Sequence, residues 1–518
     1  MNTPVAEPDI DDFAQLQEAR AIWNRGERDA ALAHYRAAVA ASPRNVRGLL
    51  EYARALGHAY RIAEAEGLLQ QVRSLAGLDG RVLPPLAKSY QELCRPQQAI
   101  ELLEAAREAK RLAPLLLGEL ALLYERSNQI DRAIEAIQEC VAQAPGQPEP
   151  RLVLARLERR RGAVGTAETV LRELTATATG RPLLMVQAWT ELCQLRDEQG
   201  DFDGAWDAIE QAKQWHRRFP EAEPMSRKAF ALNATFRQLY EELDSATLKK
   251  WRSLDLPADP RCGGVAHLLG FPRTGTTLLE QCIGAHPRLV DSPERAVFTR
   301  DIFPAMHELR GQGPLTLKVL DAIPRERLIV QRTRYLDGLE AIQGEPLGGR
   351  VHLDKNPNHT SLIAGLLRLF PESRFLFALR DPRDVLVSNY FHHFPLSEFG
   401  AGLLTPGSAC LMYANDMNIW LRVREGLADQ WLEVKYEDTV TDIQAQALRA
   451  VEFLGLPWDG QMINYRQIAE HKVVNSPSHD TVRQPVYTRA VARWKNYERQ
   501  LGAYFERLTP YVRAFGYD

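Results

Sequence analysis

The chain has 518 residues, which is too long for one hydrophobic core, so we expect at least two domains. Its composition is that of a globular protein, and its net charge of −3 gives no bulk attraction to nucleic acid or membranes. The six cysteines form no C-x-x-C pair, which favours reduced thiols in a cytoplasmic protein over a disulfide framework or a zinc site. Residues 1–13 are polar and carry no signal-peptide pattern, and we expect them to be disordered.

Residues 14–215 contain an internal repeat. Alanine recurs every 34 residues, and a larger apolar side chain follows each alanine four positions later. The alanines are Ala31, Ala65, Ala99, Ala133 and Ala167, and Ala205 continues the series after 38 residues. Small residues let the two helices of a unit approach closely, while larger ones fill the space between units. The period resembles that of the tetratricopeptide repeat family, which implies an α-solenoid of about six units.

The function of this solenoid stays open at the level of sequence. Such surfaces commonly bind peptides or other proteins, but many only hold a neighbouring domain or a second copy of the chain. We interpret residues 216–260 as a capping helix and a linker, because the repeat pattern breaks there and two prolines close the segment.

Residues 261–518 alternate between short apolar runs and longer amphipathic segments. The predicted strands are 265–270, 350–353, 374–379 and 431–434. The predicted helices are 277–285, 324–343, 360–370, 382–391 and 439–454. This alternation predicts a mostly parallel sheet covered by helices. Since ligands of such sheets bind beyond the carboxyl ends of the strands, we expect the chemistry directly after each strand.

The loop after the first predicted strand has the features of a phosphate-binding turn. Gly270 and Gly275 nearly fit the Walker A pattern, but Thr276 replaces its lysine, which disfavours a nucleotide kinase or NTPase. The charge of Arg273, the hydroxyls of Thr276 and Thr277 and the N–H groups of the following helix all suit an anionic oxygen.

Polar clusters also follow the other three predicted strands. They are Asp354-Lys355-Asn356-Pro357, Arg380-Asp-Pro-Arg-Asp384 and Lys435-Tyr436-Glu437-Asp438. A helix cap with surface charge would explain any one of them. Together they meet at one edge of the sheet, and they predict a pocket for a ligand with more than one phosphate-like group.

Three segments resemble the sulfotransferase family. Phe271-Pro-Arg-Thr-Gly-Thr-Thr277 is similar to the loop that binds the 5′-phosphosulfate of PAPS (3′-phosphoadenosine-5′-phosphosulfate). Leu379-Arg-Asp-Pro-Arg-Asp-Val-Leu-Val-Ser388 is similar to the 3′-phosphate element, in which an arginine and a serine hold that phosphate. Arg493-Trp-Lys-Asn496 resembles the segment that closes over the nucleotide, although Ala492 and Arg493 stand where related enzymes often carry Gly-Asp. The resemblance implies a P-loop-like α/β sulfotransferase domain over residues 261–518.

Within that family, the chain resembles the tyrosylprotein sulfotransferases and their bacterial repeat-containing relatives. The likeness implies that Glu294 is the catalytic glutamate, Lys355 the catalytic lysine and Ser478 the serine near the transferring group. Ala296 stands where a second basic residue is expected, so acceptor recognition departs from the pattern. The residues implied to bind PAPS are Arg273, Thr274, Gly275, Thr276, Thr277, Arg380, Ser388, Tyr436, Arg483, Trp494 and Lys495.

The implied reaction moves a sulfuryl group in line from a phosphate to an acceptor oxygen. It needs positioning and charge stabilisation, for which a general base such as Glu294 and a cation such as Lys355 are suited, and no metal is required. Glu294 also suits the first turn of a helix, and Tyr436 and Trp494 also suit plain packing. Our leading hypothesis is a PAPS-dependent sulfotransferase with protein tyrosine as acceptor. A saccharide or small phenol or alcohol acceptor stays open, as does an adaptor with an inactive nucleotide fold.

Overall fold

The computed structural model describes residues 13–294, 296–307, 314–465 and 489–518. The chain divides into two compact units, one of Met1–Val153 with Leu336–Pro346 and one of Leu154–Tyr335 with Leu347–Asp518. The domain limits that we predict at residues 13, 215 and 260 remain a prediction. Among the described residues, no helix is both long enough and apolar enough to cross a bilayer.

The N-terminal half consists of helix pairs, as the repeat predicts. The helices are α1 (Ala14–Asn24), α2 (Arg28–Ala41), α3 (Val46–His58), α4 (Ile62–Ala76), α5 (Leu83–Glu92), α6 (Pro96–Glu108), α7 (Pro114–Arg126), α8 (Ile130–Gln143), α9 (Pro148–Arg160), α10 (Val164–Thr177), α11 (Pro182–Gln199) and α12 (Phe202–Arg217). The repeating alanines are all fully buried on the second helix of each pair, so a larger side chain there would separate the helices. Pro96, Pro114 and Pro182 each stand in the first turn of a helix, where no backbone donor is needed.

Two further helices follow the last pair. They are α13 (Ala222–Glu242) and α14 (Ser245–Arg252). Asp244 separates them and caps α14, because its carboxylate accepts a hydrogen bond of 2.7 Å from the N–H of Thr247.

A five-stranded parallel sheet forms the core of the C-terminal half, which confirms the predicted α/β class. The strands are β1 (Gly264–Gly270), β2 (Leu289–Pro293), β3 (Val351–Lys355), β4 (Arg374–Leu379) and β5 (Trp431–Lys435). Their order is β2-β3-β1-β4-β5 and every neighbouring pair is parallel, so all five carboxyl ends lie at one edge. Strand β2 was not among the predicted strands, because its five residues end in proline and show no regular apolar alternation.

The other described elements of the C-terminal half are mainly helices. They are α15 (Thr276–Ile283), α16 (Phe303–His307), α17 (Leu317–Asp321), α18 (Arg325–Gln343), α19 (Ile363–Leu369), α20 (Pro382–Tyr390), α21 (Glu398–Gly402), α22 (Pro406–Arg424), α23 (Tyr436–Thr441), α24 (Ile443–Phe453) and α25 (Glu498–Ala514). The prediction of one helix over 439–454 is wrong: Asp442 ends α23 and caps α24 by accepting from the N–H of Ala445. Leu268, Leu353 and Leu376 fill the core on the face that α15 and α24 cover.

Candidate active site

The loop between β1 and α15 has the strand, turn and helix geometry that the sequence predicts. Arg273 lies at φ 73° and Gly275 at φ 95°, in the left-handed region that L side chains rarely adopt. A Cβ atom on Gly275 would lie 2.6 Å from the ring of Tyr436, so a larger residue would displace that ring. The loop leads directly into the first turn of α15, where the backbone N–H groups point out of the N-terminal end of the helix. The loop therefore presents donors next to the ring of Tyr436.

Two neighbouring side chains fix the shape of this loop from inside. The hydroxyl of Thr274 is buried and donates to the carbonyl of Phe271 at 2.8 Å. The amide of Asn389, on α20, donates to the carbonyl of Pro272 at 2.8 Å. Thr274 thus contributes to the loop conformation through a bond within the loop.

Three charged residues from three elements meet at the carboxyl ends of β2 and β3, and we call them the lysine cluster: Lys355, Glu294 and Glu280. The ammonium group of Lys355 is fully buried and donates to Glu294 Oε1 at 2.7 Å. It lies 3.3 Å from Glu280 Oε2 on its other side. Glu294 is the most exposed member, with 27% of its side chain accessible, so it is the carboxylate that an incoming acceptor would meet.

Backbone geometry holds Glu294 in this place. Its N–H donates to the carbonyl of Lys355 at 2.7 Å and continues the pairing of Pro293 with Lys355 by one residue. Its φ of 49° lies in the left-handed region, which costs free energy and which is often found at functional sites. The missed strand β2 is therefore the element that brings Glu294 to Lys355.

Glu280 is a member of the lysine cluster that our sequence analysis did not identify. It lies on α15 and is only 4% accessible, and burial raises its pKa to about 8. Burial alone would lower the pKa of Lys355, but Glu280 and Glu294 outweigh that effect and raise it, so the lysine keeps its charge. A carboxylate inside the apolar run from Leu278 to Ile283 was the signal that could have identified this position.

A second group lies at the ends of β1, β4 and β5, and we call it the arginine cluster: Arg273, Arg380, Ser388 and Tyr436. Arg273 Nε donates to Ser388 Oγ at 3.2 Å, although the two residues lie 115 positions apart. Arg380 Nη1 donates to the carbonyl of Arg273 at 3.2 Å, and its guanidinium lies 4.9 Å from the ring centroid of Tyr436. The predicted 5′- and 3′-phosphate elements thus form one group of side chains.

The arginine cluster fits a ligand with phosphate groups. Arg380 and Ser388 are buried, and Arg380 Nη2 donates to the carbonyl of Ala490 at 2.5 Å. Arg380 Nε is buried and has no acceptor among the described residues, which leaves a fixed donor unsatisfied at this point. Arg273, hydrogen-bonded to the hydroxyl of Ser388, and Arg380, hydrogen-bonded to the backbone of Arg273, are the kind of donors that suit the planar, multidentate recognition of phosphate.

The segment before α25 is fixed to the start of α20. Asp384 accepts hydrogen bonds from the N–H groups of Ala492 at 2.8 Å and Trp494 at 2.7 Å. Burial raises the pKa of this carboxyl to about 6. The guanidinium of Arg383 lies 4.0 Å from the ring centroid of Trp494, and Lys495 Nζ lies 5.9 Å from the same ring. This arrangement brings Trp494 and Lys495 to the same edge of the sheet as the arginine cluster.

A buried polar group surrounds Asp354, the residue before Lys355. Asp354 accepts a hydrogen bond of 2.8 Å from the hydroxyl of Tyr335, and burial raises its pKa to about 7. His267 Nδ1 and His359 Nδ1 lie 3.9 Å and 3.7 Å from the same carboxylate, and burial lowers the pKa of each histidine. Asp354 therefore lies in surroundings that disfavour charge, one residue from the ammonium of Lys355.

Two predicted site residues cannot be assigned a position. Ser478 and Arg483 both lie outside the described residues. All the other predicted residues lie at the carboxyl edge of the sheet, in or beside the lysine cluster and the arginine cluster.

Two family models match parts of this chain. Residues 267–460 match the model of the sulfotransferase family, and residues 16–77 and 85–148 match that of the tetratricopeptide repeat. Both resemblances that we stated from sequence are thereby confirmed.

Curated relatives match about half of the chain. An uncharacterized protein of Aquifex aeolicus (strain VF5) is 26% identical over 46% of this chain and 32% of its own length. Protein-tyrosine sulfotransferase A of Caenorhabditis elegans is 25% identical over 48% of this chain and 66% of its own length. The chain thus spans less than two thirds of either relative. Among solved structures, the sulfotransferase domain of the Synechococcus PCC 7002 olefin synthase is 19% identical, with a TM-score of 0.33, over 47% of this chain and 91% of that domain.

Proposed function

From the premise that this chain joins tetratricopeptide repeats to a sulfotransferase-family domain, we propose that it transfers the sulfuryl group of PAPS to an acceptor hydroxyl. One observation carries the proposal: Lys355 donates to Glu294 at the same sheet edge at which Arg273 donates to Ser388 and Arg380 donates to the carbonyl of Arg273. The first pair supplies a cation and a base, and the second group supplies phosphate donors. An adaptor with an inactive nucleotide fold would not need both the pair of Lys355 with Glu294 and the phosphate donors of the arginine cluster.

The lysine cluster supplies the groups that the chemical step requires. The acceptor hydroxyl loses its proton to Glu294 while its oxygen forms a bond to sulfur. The bond between sulfur and the 5′-phosphate oxygen breaks, and PAP (3′-phosphoadenosine-5′-phosphate) leaves with the negative charge. Lys355 stabilises the charge that develops on the sulfuryl and leaving oxygens. Because its ammonium group is buried, this electrostatic interaction is stronger than it would be in water.

The arginine cluster supplies binding rather than chemistry. Arg273 and the N–H groups of α15 suit the 5′-phosphate, while Arg380 and Ser388 suit the 3′-phosphate. A ligand lacking a 3′-phosphate would leave the buried Nε of Arg380 without an acceptor, which is costly. We therefore propose PAPS, rather than a nucleotide without a 3′-phosphate, as the donor.

We propose protein tyrosine as the favoured acceptor. The support is the similarity to a relative named protein-tyrosine sulfotransferase, together with a repeat half of a kind that commonly binds polypeptides. The departure at Ala296 concerns this part of the proposal, because a basic residue there would contact the acceptor side. A saccharide or a small phenol or alcohol is the alternative that the experiment below separates.

The test is an assay with sulfur-labelled PAPS and a panel of tyrosine peptides, saccharides and phenols. We expect label on peptides with the wild-type chain, and a loss of about 100-fold or more in Glu294→Gln with PAP binding retained. The matched control is Glu398→Gln, which removes a surface carboxylate paired with Lys228, and it should transfer normally.

Three outcomes would contradict parts of the proposal. If wild-type protein neither binds PAP nor releases it with any acceptor, the sulfotransferase activity is wrong. If label reaches phenols or saccharides and never peptides, the tyrosine acceptor is wrong. If Glu294→Gln transfers sulfate at the wild-type rate, the assignment of the base is wrong.

A further inference from the structure

The last repeat, α11 with α12, contacts two of the segments that we assign to nucleotide binding. One is the segment before α25 that carries Trp494 and Lys495, and the other is α20, which carries Ser388 at its C-terminal part. All of these elements belong to one compact unit of the chain. The contacts are polar and ionic as well as apolar, so they fix a geometry rather than only cover a surface.

Asp197, near the end of α11, is the centre of the first contact. Its carboxylate lies 3.1 Å from Arg493 Nη2 and also accepts hydrogen bonds from Arg493 Nε and from the hydroxyl of Tyr497. About one fifth of each side chain of the ion pair is accessible, 18% for Asp197 and 19% for Arg493. The pair is therefore shielded from solvent much better than an ordinary surface pair.

Two carboxylates, Asp384 and Asp197, hold the segment around Trp494. Ala492 lies at φ 56°, a left-handed conformation that an L residue adopts only when its surroundings enforce it. The N–H groups of Ala492 and Trp494, the residues before and after Arg493, both donate to Asp384. The side chain of Arg493 itself bonds to Asp197. Asp384 and Asp197 thus hold the segment from both sides.

The second contact joins α12 to the end of α20. Glu210 accepts a hydrogen bond of 2.5 Å from the hydroxyl of Tyr390, and the ammonium of Lys213 lies 5.0 Å from the same ring. Phe391, the next residue, lies 4.5 Å from Tyr497 between ring centroids and 5.2 Å from the guanidinium of Arg493. Tyr390 and Phe391, which follow Ser388, therefore pack together with the segment before α25 against the last repeat.

We infer that Asp197 is a positioning residue for nucleotide binding, so that the last tetratricopeptide repeat forms part of the PAPS site rather than a separate module. This inference rests on the proposed function. Asp197 acts through Arg493, whose position helps to fix the segment that carries Trp494 and Lys495. The ion pair also explains why position 493 is an arginine, where the resemblance led us to expect an acidic residue, because the partner here is the carboxylate of Asp197.

The chain offers a matched control for this contact. Asp203, at the start of α12, pairs with Arg499 on α25, so it joins the same two parts of the chain. The two side chains of that pair are 68% and 75% accessible, and such exposed pairs contribute little. If a general loosening of the repeat were the cause of an effect, Asp203→Asn would reproduce it.

The experiment is isothermal titration of PAP into the full chain. We expect Asp197→Asn to weaken PAP binding about tenfold, the scale of coupling between directly contacting residues, with an unchanged stoichiometry. Asp203→Asn should bind within about twofold of wild type. The double variant Asp197→Asn with Arg493→Gln should bind no more weakly than the weaker single variant, because both changes break one contact. At saturating PAPS, kcat of Asp197→Asn should stay near wild type while KM for PAPS rises.

Two results would overturn the inference. One is a Kd for Asp197→Asn equal to that of Asp203→Asn. The other is a fall in stoichiometry with an unchanged Kd, which would mean partial unfolding and only a structural role. If Asp197→Asn does not fold, Tyr497→Phe removes only the hydroxyl bonded to Asp197 and should raise Kd about threefold. If wild type itself binds no PAP, the proposed function is wrong as well, so the two failures are distinguishable.

Discussion

At one edge of the sheet, the lysine cluster and the arginine cluster hold their charges differently. In the lysine cluster, the buried cation of Lys355 lies between Glu294 and Glu280, so its charge is balanced within the protein. In the arginine cluster, the hydrogen bonds of Arg380 go to backbone carbonyls, and Arg273 donates to a hydroxyl. These acceptors are neutral oxygens, and an anionic ligand would be a stronger acceptor.

This difference separates two tasks within a single site. A group that must exchange a proton and stabilise a developing charge works best when its resting charge is already balanced. A group that must bind an anion works best as a fixed set of hydrogen-bond donors that an anionic oxygen can engage. We therefore expect variants of the lysine cluster to change the rate of transfer, and variants of the arginine cluster to change the affinity for PAP.

The largest effect is expected from Lys355→Met, which keeps the length of the side chain and removes the cation. We expect kcat to fall about 100- to 1000-fold, because the charge developing on the leaving oxygen loses its main stabiliser. Single-turnover transfer from labelled PAPS measures this directly. Lys250→Met, which breaks an exposed pair with Asp321, is the control and should leave the rate unchanged. A Lys355→Met variant with normal kcat would remove the distinction between the two clusters.

A smaller effect is expected from Glu280→Gln. This change keeps the shape of the side chain but removes one of the two carboxylates beside Lys355. We expect kcat to fall about tenfold with unchanged PAP affinity, because the lysine loses one of the two carboxylates that position its ammonium group. Steady-state kinetics, with Glu398→Gln as the control, check this. A change in KM for PAPS alone would assign Glu280 to nucleotide binding instead.

The smallest effect is expected below the lysine cluster, from Asp354→Asn. Burial raises the pKa of Asp354 to about 7, above the value of about 4 for an unfolded aspartate. Its buried charged form therefore opposes folding increasingly as the pH rises from about 4 to about 7. Asparagine carries no such charge and can still accept from Tyr335, so the variant should gain stability relative to wild type across this window, by about 1–2 kcal/mol at pH 7.

Urea denaturation of both proteins at pH 5 and pH 7.5 measures this difference. A difference in the free energy of unfolding that stays constant with pH would show that Asp354 keeps its ordinary pKa in the folded protein.

Much of the fold follows from local patterns. The alanine repeat predicts the helix pairs because one small residue per unit determines how closely two helices pack, and all the repeating alanines are buried. Four of the five strands follow from apolar runs that end in polar residues. Arg380 and Ser388 were predicted from the resemblance to the sulfotransferase family, in which an arginine and a serine eight positions later hold the 3′-phosphate.

The rest depends on contacts between distant parts of the chain. Strand β2 pairs at the edge of the sheet through a segment with little strand pattern of its own, and Glu294 reaches Lys355 only through it. Glu280 lies on a helix whose other buried residues are mostly apolar, and only Lys355 explains its carboxylate. Asp197 and Arg493 lie 296 positions apart, and neither has a local pattern that indicates the other.

The central claim is that one cluster binds the nucleotide and the other performs the transfer. The most direct test is isothermal titration of PAP into wild type, Arg380→Ala and Lys355→Met. Our account predicts that Arg380→Ala binds PAP at least about 100-fold more weakly, while Lys355→Met binds within a few-fold of wild type. Equal affinities for wild type and Arg380→Ala would contradict it.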